Sequence, residues 1–387
     1  MFSTRVPGDR RPNDLARALA AARADGPVLD LTVSNPTRVN LPYPDDLLAP
    51  LSDTAALTYQ PSPLGLRDAR EAIADSYAKR GVRIDAEQVV LTASTSEAYS
   101  LLFKLLCDPG AAVLTPVPGY PLFDHLTRLE GVAQQRYALE YHGVWTADFD
   151  QVDRHWTPQT RAVLAVSPNN PTGSIVRDRE ADGLVGRCAD RGAALILDEV
   201  FADYPLRDRF EEPAAFSTPS CLLCRLGGLS KSVGLPQVKL GWIALDGPAA
   251  VVDEALDRLE FICDTYLSVS TPVQIAARSL IGRGSIVRDR ILERVRLNYD
   301  TVQNIGSGAR GITALPVDGG WSAVLRVPAT RSEEQLVREL IERDAVAVHP
   351  GYFFDFPHEA FLVVSLLAEP DVFARGLQLV QDRIDAA

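Results

Sequence analysis

The chain has 387 residues, of which 46% are apolar and 23% charged, an ordinary balance for a globular protein long enough to form a large domain and a smaller one. Its net charge of −12 argues against a nucleic-acid partner, and no window approaches the ~20 successive apolar residues of a membrane helix. The five scattered cysteines form no disulfide framework, and the opening MFSTRVPGDRRPN has no apolar signal core, so a cytoplasmic protein is expected.

In chain order, residues 14–24 read as a short helix after an Arg/Pro-rich arm, and 28–33 as a strand. Helical periodicity follows over 66–80, a strand over 88–92, and a helix over 97–107. Residues 112–114 begin another strand and 120–128 another helix. Four short apolar runs, 162–166, 193–197, 221–226 and 240–245, fit strands buried on both faces of a mostly parallel sheet. Cys221 and Cys224 lie in the third run with no second pair nearby, so buried strand cysteines are the better reading than metal or redox use. The stretch 273–305 is helical and charged, suiting a long connector. The tail mixes strands (323–327, 361–366) with helices (332–343, 370–384). Strands alternating with helices predict an α/β domain.

Chemistry-bearing segments fall where these strands end, the place where open α/β sheets bind ligands. Thr92-Ala93-Ser94-Thr95-Ser96 opens a helix, so it is either a plain N-cap or an anion site built from hydroxyls and backbone N–H groups. Ser167 to Gly173 (SPNNPTG) is at least a turn. Asp198 ends an apolar run, as an N-cap or as a charge aimed at a bound cation. Lys231 follows a strand in the setting Gly228-Leu229-Ser230-Lys231, and only three other lysines exist: Lys79, Lys104 and Lys239.

Together, Asn170-Pro171-Thr172-Gly173, Asp198 and Ser230-Lys231 resemble the class I/II aminotransferases that depend on pyridoxal 5′-phosphate (PLP). Residues 228–241 resemble the family's Schiff-base lysine signature, departing at Gln237 and at Lys239, where the pattern has Arg. YQPSPLGLRDAR (59–70), PVPGYP (116–121), Gly319-Gly320-Trp321 and Val348-His349-Pro350-Gly351 resemble further family segments, in the family's order.

The resemblance implies fold type I. A large, mostly parallel PLP-binding domain (46–275) would carry a smaller α+β domain built from the N-terminal segment (1–45) and from 276–387. It implies a PLP-dependent transaminase moving an amino group from an amino acid to a 2-oxo acid. Lys231 would form the Schiff base and carry the Cα proton. Asp198 would pair with the pyridine nitrogen, Asn170 with the 3′ oxygen, and Tyr120 would stack on the ring. Ser94, Thr95, Ser96 and Lys239 would hold the phosphate, with Tyr59 reaching in from a second subunit, hence a homodimer with shared active sites.

Two departures leave the substrate open. Phe201 stands where the family usually has a Tyr that donates to the 3′ oxygen. Val363 stands near the usual place of the Arg that grips the substrate carboxylate. Arg38 is the substitute cation this reading offers. The missing Arg also keeps open a β-lyase or decarboxylase of the same fold, acting on an amino acid or amine. A PLP-sensing regulator is disfavoured, because only ~30 residues precede the first family-like segment, too few for a helix-turn-helix domain.

Overall fold

The structure, a computed structural model, describes residues 2–206, 213–308 and 311–386; the end residues 1 and 387 of the expected domains lie outside it. Eight strands form the main sheet in the order Val89–Thr92, Gly241–Asp246, Leu223–Gly228, Ala194–Asp198, Thr160–Val166, Ala112–Val117, Ala133–Tyr141, Trp145–Ala147. The pairings from Leu223–Gly228 through to Ala133–Tyr141 are parallel, and Gly241–Asp246 is antiparallel to both of its neighbours.

The four apolar runs are central strands, and their side chains alternate between two cores, as a period of two requires. Leu164, Ile196, Leu226 and Ile243 pack with Leu102 and Leu259 of helices Thr95–Leu106 and Ala249–Tyr266. Val163, Leu195 and Leu223 pack on the other face with Leu184 of helix Asp178–Asp190.

The second, antiparallel sheet has the order Thr313–Ala314, Ser322–Arg326, Phe361–Ser365, His349–Pro350. Helix Thr271–Gly308 links the two sheets, which extends the expected connector by a few residues at each end. The strand expected over 28–33 is cut to Leu29–Asp30, paired in parallel with Val346–Ala347. The cause is local: the Asp30 carboxylate accepts from Thr32 N (2.9 Å) and Oγ1 (2.6 Å), and this turn redirects the chain. Beyond it, Ser365 N donates to Leu31 O (2.7 Å) and Ser365 Oγ to Val33 O (2.5 Å), so the redirected segment lies against the second sheet.

Candidate active site

The carboxyl ends of the parallel strands open onto a cavity of about 610 Å³ whose wall includes Thr95, Ser96, Tyr120, Asn170, Asp198 and Lys231. Residues up to 136 positions apart in sequence meet because each directly follows, or ends, a strand of one sheet edge. Gly241, although it begins an antiparallel strand, reaches that same edge by pairing with both Thr92 and Gly228.

Lys231 lies in the one-turn helix Leu229–Ser232. Its Nζ is 3.5 Å from Ser34 O and stands 4.6 Å from the Trp321 ring centroid and 5.5 Å from that of Phe201. Burial drives its pKa down to about 8, against the pull of Asp198. The buried Tyr204 hydroxyl donates to Lys231 O, which fixes the backbone under the amine.

Asp198 is buried, and each carboxylate oxygen has a donor: Tyr99 Oη at 2.7 Å and Val200 N at 3.1 Å. Burial raises its pKa to about 6, while these donors and Lys231 oppose the rise. Tyr99, missed in the sequence, holds the carboxylate. It stands four residues after Thr95 on the same helix, hence on the same face, and that spacing was the available signal. Asn170 accepts from Ser322 Oγ (3.3 Å) through Oδ1, which leaves its amide N–H₂ for the cavity.

Ser94 is the N-cap of helix Thr95–Leu106, its hydroxyl accepting from Glu97 N (3.1 Å). Glu97 in turn accepts from Ala93 N (2.5 Å). Thr95 and Ser96, the first two residues of the helix, line the cavity at its positive end. A Cβ on Gly241 would stand 2.8–3.0 Å from Ser94 C, Thr92 Oγ1 and Thr95 N, so only glycine lets this strand close on the helix start.

The remaining expected site residues do not line the cavity. Lys239 is exposed, with φ +61°, and Arg38 is exposed, its side chain making no hydrogen bond or ion pair among the described residues. Tyr59, 73% exposed, lies in a separate groove with Tyr266 and Leu267. The wall facing Lys231 is apolar, with Phe201, Trp321, Phe353, Phe354 and Val363, and no arginine is on it among the described residues.

This donor set fits PLP: an amine for its aldehyde, a buried carboxylate for its ring nitrogen, a free amide for its phenolic oxygen and a helix N-terminus for its phosphate. Among the described residues, no group of His, Cys, Asp and Glu could hold a metal ion, and no helix is long and apolar enough to cross a membrane.

Comparison with known proteins gives the family. The family profile described as aminotransferase class I and II matches residues 29–371. The glutamate-pyruvate aminotransferase of Escherichia coli (strain K12) is 24% identical over 359 residues, covering 89% of this chain and 87% of the relative. The tyrosine aminotransferase of Homo sapiens is also 24% identical, covering 88% and 77%. Among solved structures, an alanine aminotransferase from Pyrococcus furiosus superposes with a TM-score of 0.88 at 20% identity, covering all of both chains.

Proposed function

Since the chain belongs to the class I and II aminotransferases, PLP-dependent enzymes that pass an amino group between amino acids and 2-oxo acids, we propose how its own residues carry out that transfer. The observation that carries the reading is the convergence of Lys231, Asp198 and Asn170 on one cavity.

PLP supplies an aldehyde that condenses with amines and a ring that draws electrons away from the neighbouring Cα. Lys231 is the only lysine on the wall among the described residues. With a pKa of about 8, part of it is uncharged near neutrality and able to attack a carbonyl. With substrate in the cavity, the free Lys231 Nζ would be the base that takes the proton from Cα and holds it for return. Asp198, ionised above about pH 6 and held by Tyr99 and Val200, would hold the ring nitrogen in its protonated form. Asn170, whose amide N–H₂ is free, would donate to the 3′ oxygen, and Tyr120 would pack against the ring. Ser94, Thr95 and Ser96 receive the phosphate, Lys239 adds charge from outside the wall, and Tyr59 completes the site of a second copy in a homodimer. The exposed apolar side chains Leu57, Tyr59, Phe261 and Tyr266 support that dimer.

The domain division at 46 and 275 goes with this reading, as does a cytoplasmic location, which the five free cysteines support. The aromatic wall favours amino donors with apolar or aromatic side chains.

The test is a donor panel with pyruvate and 2-oxoglutarate on the PLP-loaded protein. We expect donor consumption that requires the 2-oxo acid. Consumption without an acceptor would instead mark a lyase or decarboxylase and refute the proposal.

A further inference from the structure

This inference rests on the transaminase reading. Position 363, where the resemblance leads one to expect a guanidinium, carries a buried valine. The antiparallel register puts His349 directly opposite Val363, and directly opposed residues leave a sheet on the same face. Both reach the cavity.

The imidazole of His349 is stacked on Phe353 (centroids 5.1 Å apart, 4° between planes) and meets Phe354 edge-on (5.7 Å, 81°). These contacts set the plane of the ring and leave its nitrogen-bearing edge to point elsewhere. Neither ring nitrogen has a hydrogen-bond partner among the described residues. The other basic groups on the wall are Lys231, committed to the chemistry, and His125, which stands beside Asp124 (3.9 Å) on helix Leu122–Glu130. On the same wall, the buried Trp321 Nε1–H also finds no acceptor among the described residues.

We propose that His349 donates an N–H to the substrate carboxylate in place of the missing arginine, and is the contact by which this enzyme tells amino acids from amines. The role does not require a charged ring. Burial holds the His349 pKa below its ordinary value, with Asp30 opposing, and a neutral imidazole still carries one N–H. A single donor grips less firmly than a guanidinium fork, so the apolar wall carries a larger share of substrate binding.

The PLP-loaded protein would be titrated with 3-phenylpropionate and with its neutral analogue 3-phenylpropan-1-ol, following the change in cofactor absorbance. We expect the wild type to prefer the carboxylate by about tenfold or more, the scale of one hydrogen bond to a charged group. His349→Ala should abolish the preference, His349→Gln should keep part of it, and Val363→Arg added to His349→Ala should restore it. Arg38→Ala should leave it unchanged. In turnover, His349→Ala should raise KM for the amino donor about tenfold, with kcat altered less than about threefold. A carboxylate preference that survives in His349→Ala, or is absent from the wild type, overturns the role of His349 alone. Failure of the wild type to form a visible cofactor band would overturn the transaminase reading along with it.

Discussion

At the scale of single residues, two groups of the cavity hold their charges at a cost. The folded-state pKa of Asp198 is about 6 against an ordinary 3.8, so the folded protein keeps a proton that the unfolded chain releases between those values. Stability is therefore lost as pH rises through that interval. Lys231, at about 8 instead of 10.5, has the opposite sign: its penalty fades as pH climbs above 8. Between pH 6 and 8 the apoprotein carries both penalties. Apo Asp198→Asn should thus be more stable than wild type to urea by ~1–3 kcal/mol at pH 7.5, no more stable below about pH 4, and inactive with PLP. Tyr99→Phe removes a donor from Asp198 and should lower kcat about tenfold, with little change in the affinity for carboxylate probes. Phe201 packs edge-on against Trp321 (5.4 Å) beside Lys231 and offers no hydroxyl to the cofactor oxygen. Phe201→Tyr should therefore move the pH titration of the visible cofactor band downward by ~1 unit. Lys231, Asp198 and Asn170 were legible in the sequence because each stands at a strand end in a distinctive local setting. Tyr99, Tyr204 and His349 were not, since their roles depend on which distant group faces them: Asp198, Lys231 and Val363.

At the scale of elements, the central strands could be read because burial on both faces forces continuous apolar runs. Strand Ala133–Tyr141 escaped notice because, towards the sheet edge, it exposes one side and reads AQQRYALEY, apolar only in part. Helix Asp178–Asp190 carries Gly183 and Gly186, which weaken its local signal, while packing on the sheet holds it. The direction of Gly241–Asp246 could not be read either, since a buried run looks alike in both orientations. What this strand does is decided at its first residue. Gly241→Ala would push a Cβ against the backbone of Ser94 and Thr95. We expect it to raise the Kd for PLP more than tenfold by tilting the helix start, as read by fluorescence titration, while Gly186→Ala, whose added Cβ meets nothing within 4 Å, leaves that Kd unchanged.

At the scale of the molecule, the exposed Tyr59 predicts a site shared between subunits. Lys231→Ala and Tyr59→Ala proteins, each impaired alone, should regain about a quarter of wild-type activity when unfolded together and refolded, because half of the dimers are mixed and each mixed dimer has one intact site of two. No recovery would mean that each chain works by itself. The parallel pairing of Leu29–Asp30 with Val346–Ala347, and the seating of Leu31 and Val33 on Ser365, also bear on how the protein is made. Thr32 and Ser34, which follow that pairing, form part of the cavity wall, and Ser34 O faces Lys231 Nζ. During synthesis the main sheet has all its strands once residue 246 has emerged, yet the N-terminal segment has nowhere to dock until residues 346–365 follow it out of the ribosome. A nascent chain stalled before that point would hold a folded sheet with one wall of its cavity missing, so the enzyme gains its substrate site only after residue 365 has emerged.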